Sequence, residues 1–261
     1  MAIAIRTNTT LTPTITQATL INAIKAAMAN AGFPSLYSEF TAGTDICLIY
    51  EWIVDSTKNF GKVYIRIRIT TGLLIAQQIF SAWNTGTNTG TNGSTEASYG
   101  SLSASSTINF VALNGADEYR LVALAQGSTL MPIGVLMPAF RQEFWDLNSW
   151  TYGFIFTSSA MTILRGVIAA NNPYANSDFD LLLVGNSRLT NVNNQTNQPD
   201  LARGLLMLTQ SNQGIAAATS EDFAVGAFLG QTRFTDAIPP GTTQTYVILQ
   251  NLAGGVAIKY Q

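Results

Sequence analysis

The sequence predicts an α+β fold dominated by β-strands, in which one N-terminal amphipathic helix packs on an antiparallel sheet or β-sandwich with long polar loops. Three observations predict it. Apolar residues recur at helical spacing in one early segment. They alternate with polar residues, or run continuously, in many later segments. Stretches of Thr, Ser, Asn and Gly separate these runs and predict the loops.

The first element is a helix predicted over 17–31. Its apolar residues fall on one face: Leu20, Ile21, Ile24, Met28 and Ala31. Thr16 is a suitable N-cap, Gly32 suits the left-handed position after the last turn, and Pro34 prevents the helix from continuing. A stripe of this width is expected to pack on a sheet.

Strands are predicted after the helix. Residues 46–54 form a run of strong β-formers, and 55–61 read as a turn. Residues 63–70 alternate, with Val63, Ile65, Ile67 and Ile69 on one face and Tyr64, Arg66, Arg68 and Thr70 on the other. Residues 73–80 fit either a third strand or a short helix.

A low-complexity insert of Thr, Asn, Gly and Ser follows at 84–106, and Glu96 is its single charge. Such a composition is typical of a long exposed loop or a flexible hairpin that builds no core. We expect one β-rich domain over 1–261, with a subdivision into a helix and hairpin region at 1–83, the flexible insert and a β-rich region at 107–261.

The second half is also predicted to be rich in strands. The candidate strands are 108–113, 118–124, 133–137, 152–157, 163–169, 179–184, 246–249 and 256–260. Turns are expected at 114–115, 171–173 and 239–241, and a second polar insert at 186–199. Residues 201–209 suggest a helical turn, and 221–229 fit either a short helix or a strand. No fixed-period repeat is present, which argues against solenoids and propellers.

Charged residues are scarce, because Asp, Glu, Lys and Arg make up only 11% of the chain and the net charge is −2. Soluble domains usually carry about 25%. A surface that neighbouring subunits cover can lose charge, since burying charges is costly and neutral amides and hydroxyls can pair. The alternative is a general preference for uncharged polar residues. Thirteen basic residues form no basic stripe, so nucleic acid is not expected as a partner.

Neither secretion nor a membrane span is expected. The N-terminus lacks the basic start and long apolar stretch of a signal peptide, so we expect a reducing cytoplasm. Residues 121–140 contain no charged residue and are long enough to cross a bilayer. Two prolines and a central polar group nevertheless fit two buried strands joined by a turn at 127–129 better than a membrane helix. Cys47, the single cysteine, is expected to be a small buried residue.

Catalysis is not expected, because the chain contains no histidine. This excludes Ser-His-Asp and Cys-His sites and most catalytic zinc sites. Asp178 and Asp180 would share one face of a strand, where they could hold a divalent cation, but a solvated strand edge is favoured. Residues 221–222 read as acids at a helix N-terminus, and 117–118 as part of a turn. We therefore assign no catalytic, cofactor-binding or metal-binding residue and expect no cofactor.

Two groups of side chains carry alternative interpretations. Arg66 and Arg68 share a strand face with Tyr64, which suits either binding of an anion or acidic partner, or an ordinary solvent face; the alternation favours the latter. An aromatic cluster surrounds Trp145 and Trp150 and suits core packing, an interface or a sugar platform. It comprises Phe140, Phe144, Trp145, Trp150, Tyr152, Phe154 and Phe156.

Several segments resemble structural proteins of tailed bacteriophage virions, particularly those of phages of cyanobacteria. They are the leading helix at 19–24, the strand at 61–68, the entry into the polar insert at 83–84, Phe-Trp-Asp-Leu-Asn-Ser-Trp at 144–150 and Pro-Pro-Gly-Thr at 239–242. The resemblance implies a multi-copy virion component of the tail or baseplate, assembled in the host cytoplasm. It implies no catalytic residues.

The predicted function is therefore structural. The chain is expected to form a homo-oligomer and to bind other virion proteins through uncharged surface, loops and strand edges. Its N-terminal arm, 1–12, is expected to be exchanged with a neighbour. The alternatives are a head decoration or collar protein, and a module that binds host-surface glycans through the Trp145/Trp150 region or the 84–106 loop.

Overall fold

The computed structural model describes residues 5–53, 62–91, 93–94, 96–115, 119–136, 138–141, 152–156, 161–165, 179–181, 199–204, 206–209, 215–219 and 221–261. These residues form one α-helix and 22 β-strands. All the strand pairs among them are antiparallel. The prediction of a β-dominated α+β fold is confirmed.

The helix α1 (Gln17–Asn30) begins and ends within one residue of its predicted bounds. The Thr19 N–H donates to Thr16 Oγ1 at 3.2 Å, and the Thr16 N–H donates to Thr19 Oγ1 at 2.9 Å, which forms a reciprocal cap. Gly32 has φ +78°, a value that favours glycine and ends the helix. Leu20, Ile24 and Met28 are fully buried, as the helical spacing predicts.

Sheet I has five strands in the order β2-β3-β4-β5-β8. They are β2 (Ser38–Ala42), β3 (Asp45–Ile53), β4 (Lys62–Ile69), β5 (Leu74–Phe80) and β8 (Ala97–Ser101). The predicted alternation in β4 is confirmed, because Val63, Ile65, Ile67 and Ile69 are all buried on its inner face. The open choice at 73–80 is settled in favour of a strand.

Sheet II has the order β1-β9-β10-β11. Its strands are β1 (Ile5–Leu11), β9 (Ile108–Asn114), β10 (Tyr119–Gln126) and β11 (Thr129–Leu136). The last two confirm the predicted pair of strands joined by a turn at Gly127, whose φ is +57°. The end of 121–140 belongs to a further strand at Pro138–Arg141. No helix in the described part of the chain combines the length and apolar character needed to cross a membrane. The predicted turn at 117–118 lies outside the described residues.

Helix α1, sheet I and sheet II enclose one hydrophobic core, to which α1, β3, β4, β5, β9, β10 and β11 all contribute buried residues. The helix is also tied to sheet I by polar contacts. Gln17 Nε2 donates to the Ile69 carbonyl at 2.8 Å, and Lys25 Nζ lies 2.7 Å from Glu39 Oε2. The predicted packing of the helix on an antiparallel sheet is therefore confirmed, and the core combines residues from both sides of the 84–106 insert.

The 84–106 insert is ordered into strands more than its composition predicts. β6 (Ala82–Asn84) and β7 (Thr89–Thr91) form a hairpin, and β8 joins the edge of sheet I. Leu102 is buried in the main core, so the prediction that this segment contributes nothing to a core is wrong. Threonine favours extended backbone, and Ala97 and Tyr99 pack against the core beside Leu102.

Sheet III has the order β12-β18-β17-β15-β14-β13. Its strands are β12 (Pro138–Arg141), β13 (Tyr152–Phe156), β14 (Met161–Arg165), β15 (Phe179–Leu181), β17 (Leu206–Thr209) and β18 (Ile215–Thr219). Strands were predicted at 152–157, 163–169 and 179–184, and the described strands overlap all three. The predicted turn at 171–173 lies outside the described residues, as does the polar insert at 186–199 apart from Pro199.

Sheet IV has the order β16-β19-β22-β21-β20. Its strands are β16 (Leu201–Arg203), β19 (Phe223–Ala227), β20 (Asp236–Ala237), β21 (Tyr246–Ile248) and β22 (Ala253–Lys259). They enclose a smaller core that includes Phe228 and Tyr246. The predicted turn at 239–241 is confirmed, since the Thr242 N–H donates to the Pro239 carbonyl at 3.2 Å.

Two helical interpretations in this region are wrong. Residues 201–209 form β16 and β17, because Gly204, with φ +61°, breaks the segment between two different sheets. The segment 221–229 contains β19, an interior strand of sheet IV, so its strand alternative is correct. Glu221 and Asp222 consequently lie in a turn rather than at a helix N-terminus.

Candidate functional site

The residues considered for catalysis come together in no metal centre that the structure describes. Within the described ranges, no three His, Cys, Asp or Glu side chains are grouped to hold a metal ion. Asp178 lies outside the described residues, and Asp180 is placed only as a position on β15. Cys47 is 1% exposed, and burial raises the pKa of its thiol. The prediction of a buried cysteine is confirmed, and a protonated thiol is a poor nucleophile.

Of the aromatic residues considered as a sugar platform, Phe140 is a position on β12, and Tyr152, Phe154 and Phe156 are positions on β13. Trp145 and Trp150 both lie outside the described residues. The interpretations of that region therefore remain predictions.

A charged cluster lies on the outer face of sheet I, and we call Asp45, Arg66, Arg68, Gln78 and Glu96 the arginine cluster. The register places Arg66 opposite Gln78. Glu96 immediately precedes the edge strand β8, and its carboxylate bridges both arginines: Oε2 lies 2.7 Å from Arg66 Nη2, and Oε1 lies 2.5 Å from Arg68 Nη2. The other side of Arg68 contacts Asp45, with Nη1 2.8 Å from Oδ2.

The charged groups of this cluster shift one another's pKa values. Hydrogen bonds from Arg68 lower the pKa of Glu96, and those from Glu96 and Asp45 raise the pKa of Arg68. Arg66 and Arg68 were predicted to face solvent or to bind an external acid. Their side chains are instead 23% and 27% exposed and paired with acids of the same chain. Glu96, the only charged residue of the insert, therefore attaches the insert to sheet I.

Glu96→Gln is expected to lower the free energy of unfolding by about 1–2 kcal/mol, because two charge-assisted contacts are lost at a partly exposed site. The folded-state pKa of Glu96 is lowered, so its stabilisation is present above the unfolded pKa of about 4.3 and is lost as the pH falls through the folded pKa. Urea denaturation of both proteins at pH 7 and at acidic pH measures the difference, which should shrink in acid.

Glu39→Gln is the matched control, because it removes one carboxylate from a single, more exposed pair with Lys25. Its expected cost is below about 0.5 kcal/mol. Equal effects of the two substitutions, or a Glu96→Gln effect that does not change with pH, would show that the arginine cluster stabilises the fold no more than an exposed ion pair does.

A polar junction joins β1 to sheet IV through Arg6, and we call it the Arg6 junction. Its guanidinium donates to the Asp236 carboxylate and to the Phe234 carbonyl. Its Nε donates to Asn8 Oδ1 at 3.0 Å, and the group lies 5.0 Å above the centre of the Tyr260 ring. The junction lines an open groove of about 540 Å³ whose walls are Arg6, Asn8, Thr235, Asp236 and Tyr260.

Several other charged side chains also have partners within the chain. Lys259 Nζ lies 3.7 Å from Asp222 Oδ1, and Arg233 Nη1 donates to the Ser128 carbonyl at 2.8 Å. Arg120 lies over the Trp52 ring at 5.5 Å. In the part of the chain that the structure describes, most charged side chains are thus used in intramolecular contacts. The exposed polar residues of β1 and of the 84–106 insert are mainly Thr, Asn and Ser.

Strand β1 is an edge strand with a largely exposed surface. None of its seven residues is buried, and Ile5 is 62% exposed. On the side away from β9, no other strand pairs with it in the described part of the chain. Edge strands of this length are usually protected by several charges, a proline or a covering element, and β1 carries only Arg6. Its geometry suits pairing with another chain.

No protein-family model matches the chain, and no curated protein sequence matches it significantly. The interpretation of the arginine cluster and of the junction around Arg6 therefore rests on their geometry. Sequence analysis identified Arg66 and Arg68 but missed their partner Glu96, although a single acid in an uncharged insert was a usable signal. It also missed the pairing of Arg6 with Asp236, because no sequence pattern connects residues 230 positions apart.

Proposed function

We propose that this chain is a structural protein of a tailed-bacteriophage virion, present in many copies and most compatible with the tail or baseplate. The observation that carries the proposal is the internal pairing of most charges among the described residues, which leaves neutral hydroxyl and amide groups for contact with neighbours. The virion assignment is supported by the resemblance of the helix, the 61–68 strand and the polar insert to such proteins.

The proposed mechanism is association through neutral surface. A charged side chain brought into an interface must lose its hydration, whereas hydroxyls and amides exchange water for a partner at lower cost. The exposed edge β1, with the sequence Ile-Arg-Thr-Asn-Thr-Thr-Leu, offers unpaired backbone groups as well. Subunits that meet in this way need no catalytic group, and their contacts depend little on screening by salt.

Light scattering coupled to size exclusion should show a discrete oligomer, or growth with concentration, for the purified chain. Because the proposed contacts are made mainly by backbone, hydroxyl and amide groups, the mass should change little between about 0.05 M and about 0.5 M salt. A monomer at every concentration would contradict self-association. An oligomer that dissociates in high salt would contradict the neutral interface and point to ionic contacts.

The virion assignment is tested on phage particles by antibody labelling. Gold-labelled antibodies against the chain should decorate the tail or baseplate of phage particles that carry this sequence. Labelling of the head or collar would replace the tail location with the head-decoration alternative. Particles without label, from infected cells that contain the chain, would overturn the virion role.

A further inference from the structure

The segment that joins β1 to α1, residues 12–16, is closed in a strained conformation. Thr14 has φ +77°, and a side chain branched at Cβ strongly disfavours that region. Pro13 limits the backbone just before it. The N–H groups of Thr14 and Ile15 both donate to the Ala104 carbonyl at 3.0 Å, and these bonds hold the closed form.

The contacts of β1 could form equally well between two copies. Its ladder with β9 runs without a break from Ile5 opposite Asn114 to Leu11 opposite Ile108. Leu11 packs only partly on the core, and Arg6 supplies the anchor to sheet IV. A second molecule presents the same β9 edge and the same Asp236. Exchange would therefore change the linker conformation and leave the contacts of β1 unchanged.

We infer that β1 is exchanged between neighbouring copies, pairing with β9 of a second copy in the same register, with residues 12–16 as the hinge. This inference rests on the proposed function, since it requires copies in contact. Five extended residues span at most about 17 Å, so the two copies must be adjacent. Strained short hinges favour this kind of exchange, because opening releases the strain. The structure thus specifies the N-terminal exchange expected from the sequence: the β1–β9 pairing sets its register, Arg6 is its anchor, and residues 12–16 are its hinge.

A cysteine pair can report which β9 each β1 contacts. Thr10 and Asn109 are exposed and directly opposite each other, with Thr10 Oγ1 3.4 Å from Asn109 Oδ1. Opposed residues of antiparallel strands have Cα atoms about 4.5–5.5 Å apart, which a disulfide accepts. The Thr10→Cys/Asn109→Cys variant is oxidised at a concentration where light scattering shows the oligomer, and is then run on a denaturing gel without reductant. The buried Cys47 stays in place.

Exchange predicts disulfide bonds between chains, with covalent species as large as the oligomer. Mixing the Thr10→Cys and Asn109→Cys single variants, which can link only between chains, should also give linked dimers after co-refolding. Bonds within one chain only, in a protein that light scattering shows to be oligomeric, would overturn the exchange and leave the proposed function intact. A monomer with bonds within one chain would contradict both.

The hinge is tested by Thr14→Gly in the same double-cysteine background. Glycine removes the cost of positive φ in the closed form, so the ratio of interchain to intrachain bonds should fall about fivefold. Thr12→Gly is the matched control, because it adds a glycine to the same linker at a residue without positive φ. An unchanged ratio in Thr14→Gly, or an equal fall in Thr12→Gly, would overturn the role of Thr14.

Discussion

Deletion of residues 1–12 should abolish oligomerisation and leave a folded monomer. No residue of β1 is buried, and the main core is formed by α1, sheet I and β9–β11. Loss of β1 removes one backbone ladder, the Arg6 junction and the partly buried Leu11 side chain, and leaves the buried residues of that core in place. The expected result is a native circular dichroism spectrum and cooperative urea unfolding, with a monomeric mass by light scattering at concentrations where the full chain is oligomeric.

Thr9→Ala is the control for this deletion, because it alters β1 at an exposed position outside the Arg6 junction and keeps the β9 ladder. It should retain the oligomer. A truncated chain with the mass of the full oligomer would show that β1 is not an assembly strand. A truncated chain that fails to unfold cooperatively would show that β1 is a structural part of each subunit instead.

The parts of the fold that were predicted correctly have local causes. The cap at Thr16 and the apolar spacing of α1 are decided within a few residues of each other, as is the alternation of β4. The turns at Gly127 and Gly241 need positive φ, which the sequence signals directly through glycine. In these segments, local preference and tertiary packing agree.

The predictions failed where contacts with residues distant in the sequence determine the backbone conformation. The short apolar runs in 201–209 and 221–229 fit a helix or a strand equally well by pattern, and only pairing with other strands of sheets III and IV makes them extended. The insert was misjudged by composition, because Leu102 is buried in the core and Ala97 and Tyr99 pack against it.

Contacts between residues distant in the sequence also explain why the ion pairs of Glu96 and Arg6 were not predicted. Glu96 and Arg6 are ordinary residues in sequence, and each becomes important through partners that the fold brings from elsewhere. Local pattern therefore predicts which elements form. It does not predict which charges the folded chain neutralises, and that outcome is what the assembly proposal depends on.

Trp52→Ala is expected to be the most destabilising substitution, lowering the free energy of unfolding by about 3–5 kcal/mol. Trp52 is 2% exposed on the inner face of β3, and Arg120 of β10 lies over its ring. The side chain therefore links sheet I to sheet II, and its removal leaves a cavity between them together with an arginine that has lost its aromatic contact. Urea denaturation followed by circular dichroism measures the loss without relying on tryptophan fluorescence.

Trp83→Ala removes the same side chain from a different place. Trp83 belongs to a small cluster on the outer face of sheet I, stacked on Phe40 at 5.9 Å and edge-on to Phe80 at 5.2 Å. Its Nε1 has no hydrogen-bond partner in the part of the chain that the structure describes. The expected cost is about half that of Trp52→Ala, since fewer packing contacts are lost and no hydrogen bond is broken. Equal costs would mean that the β6–β7 hairpin and the outer cluster unfold together with the main core, and the insert would then be an integral structural element rather than a segment fastened to sheet I by Glu96.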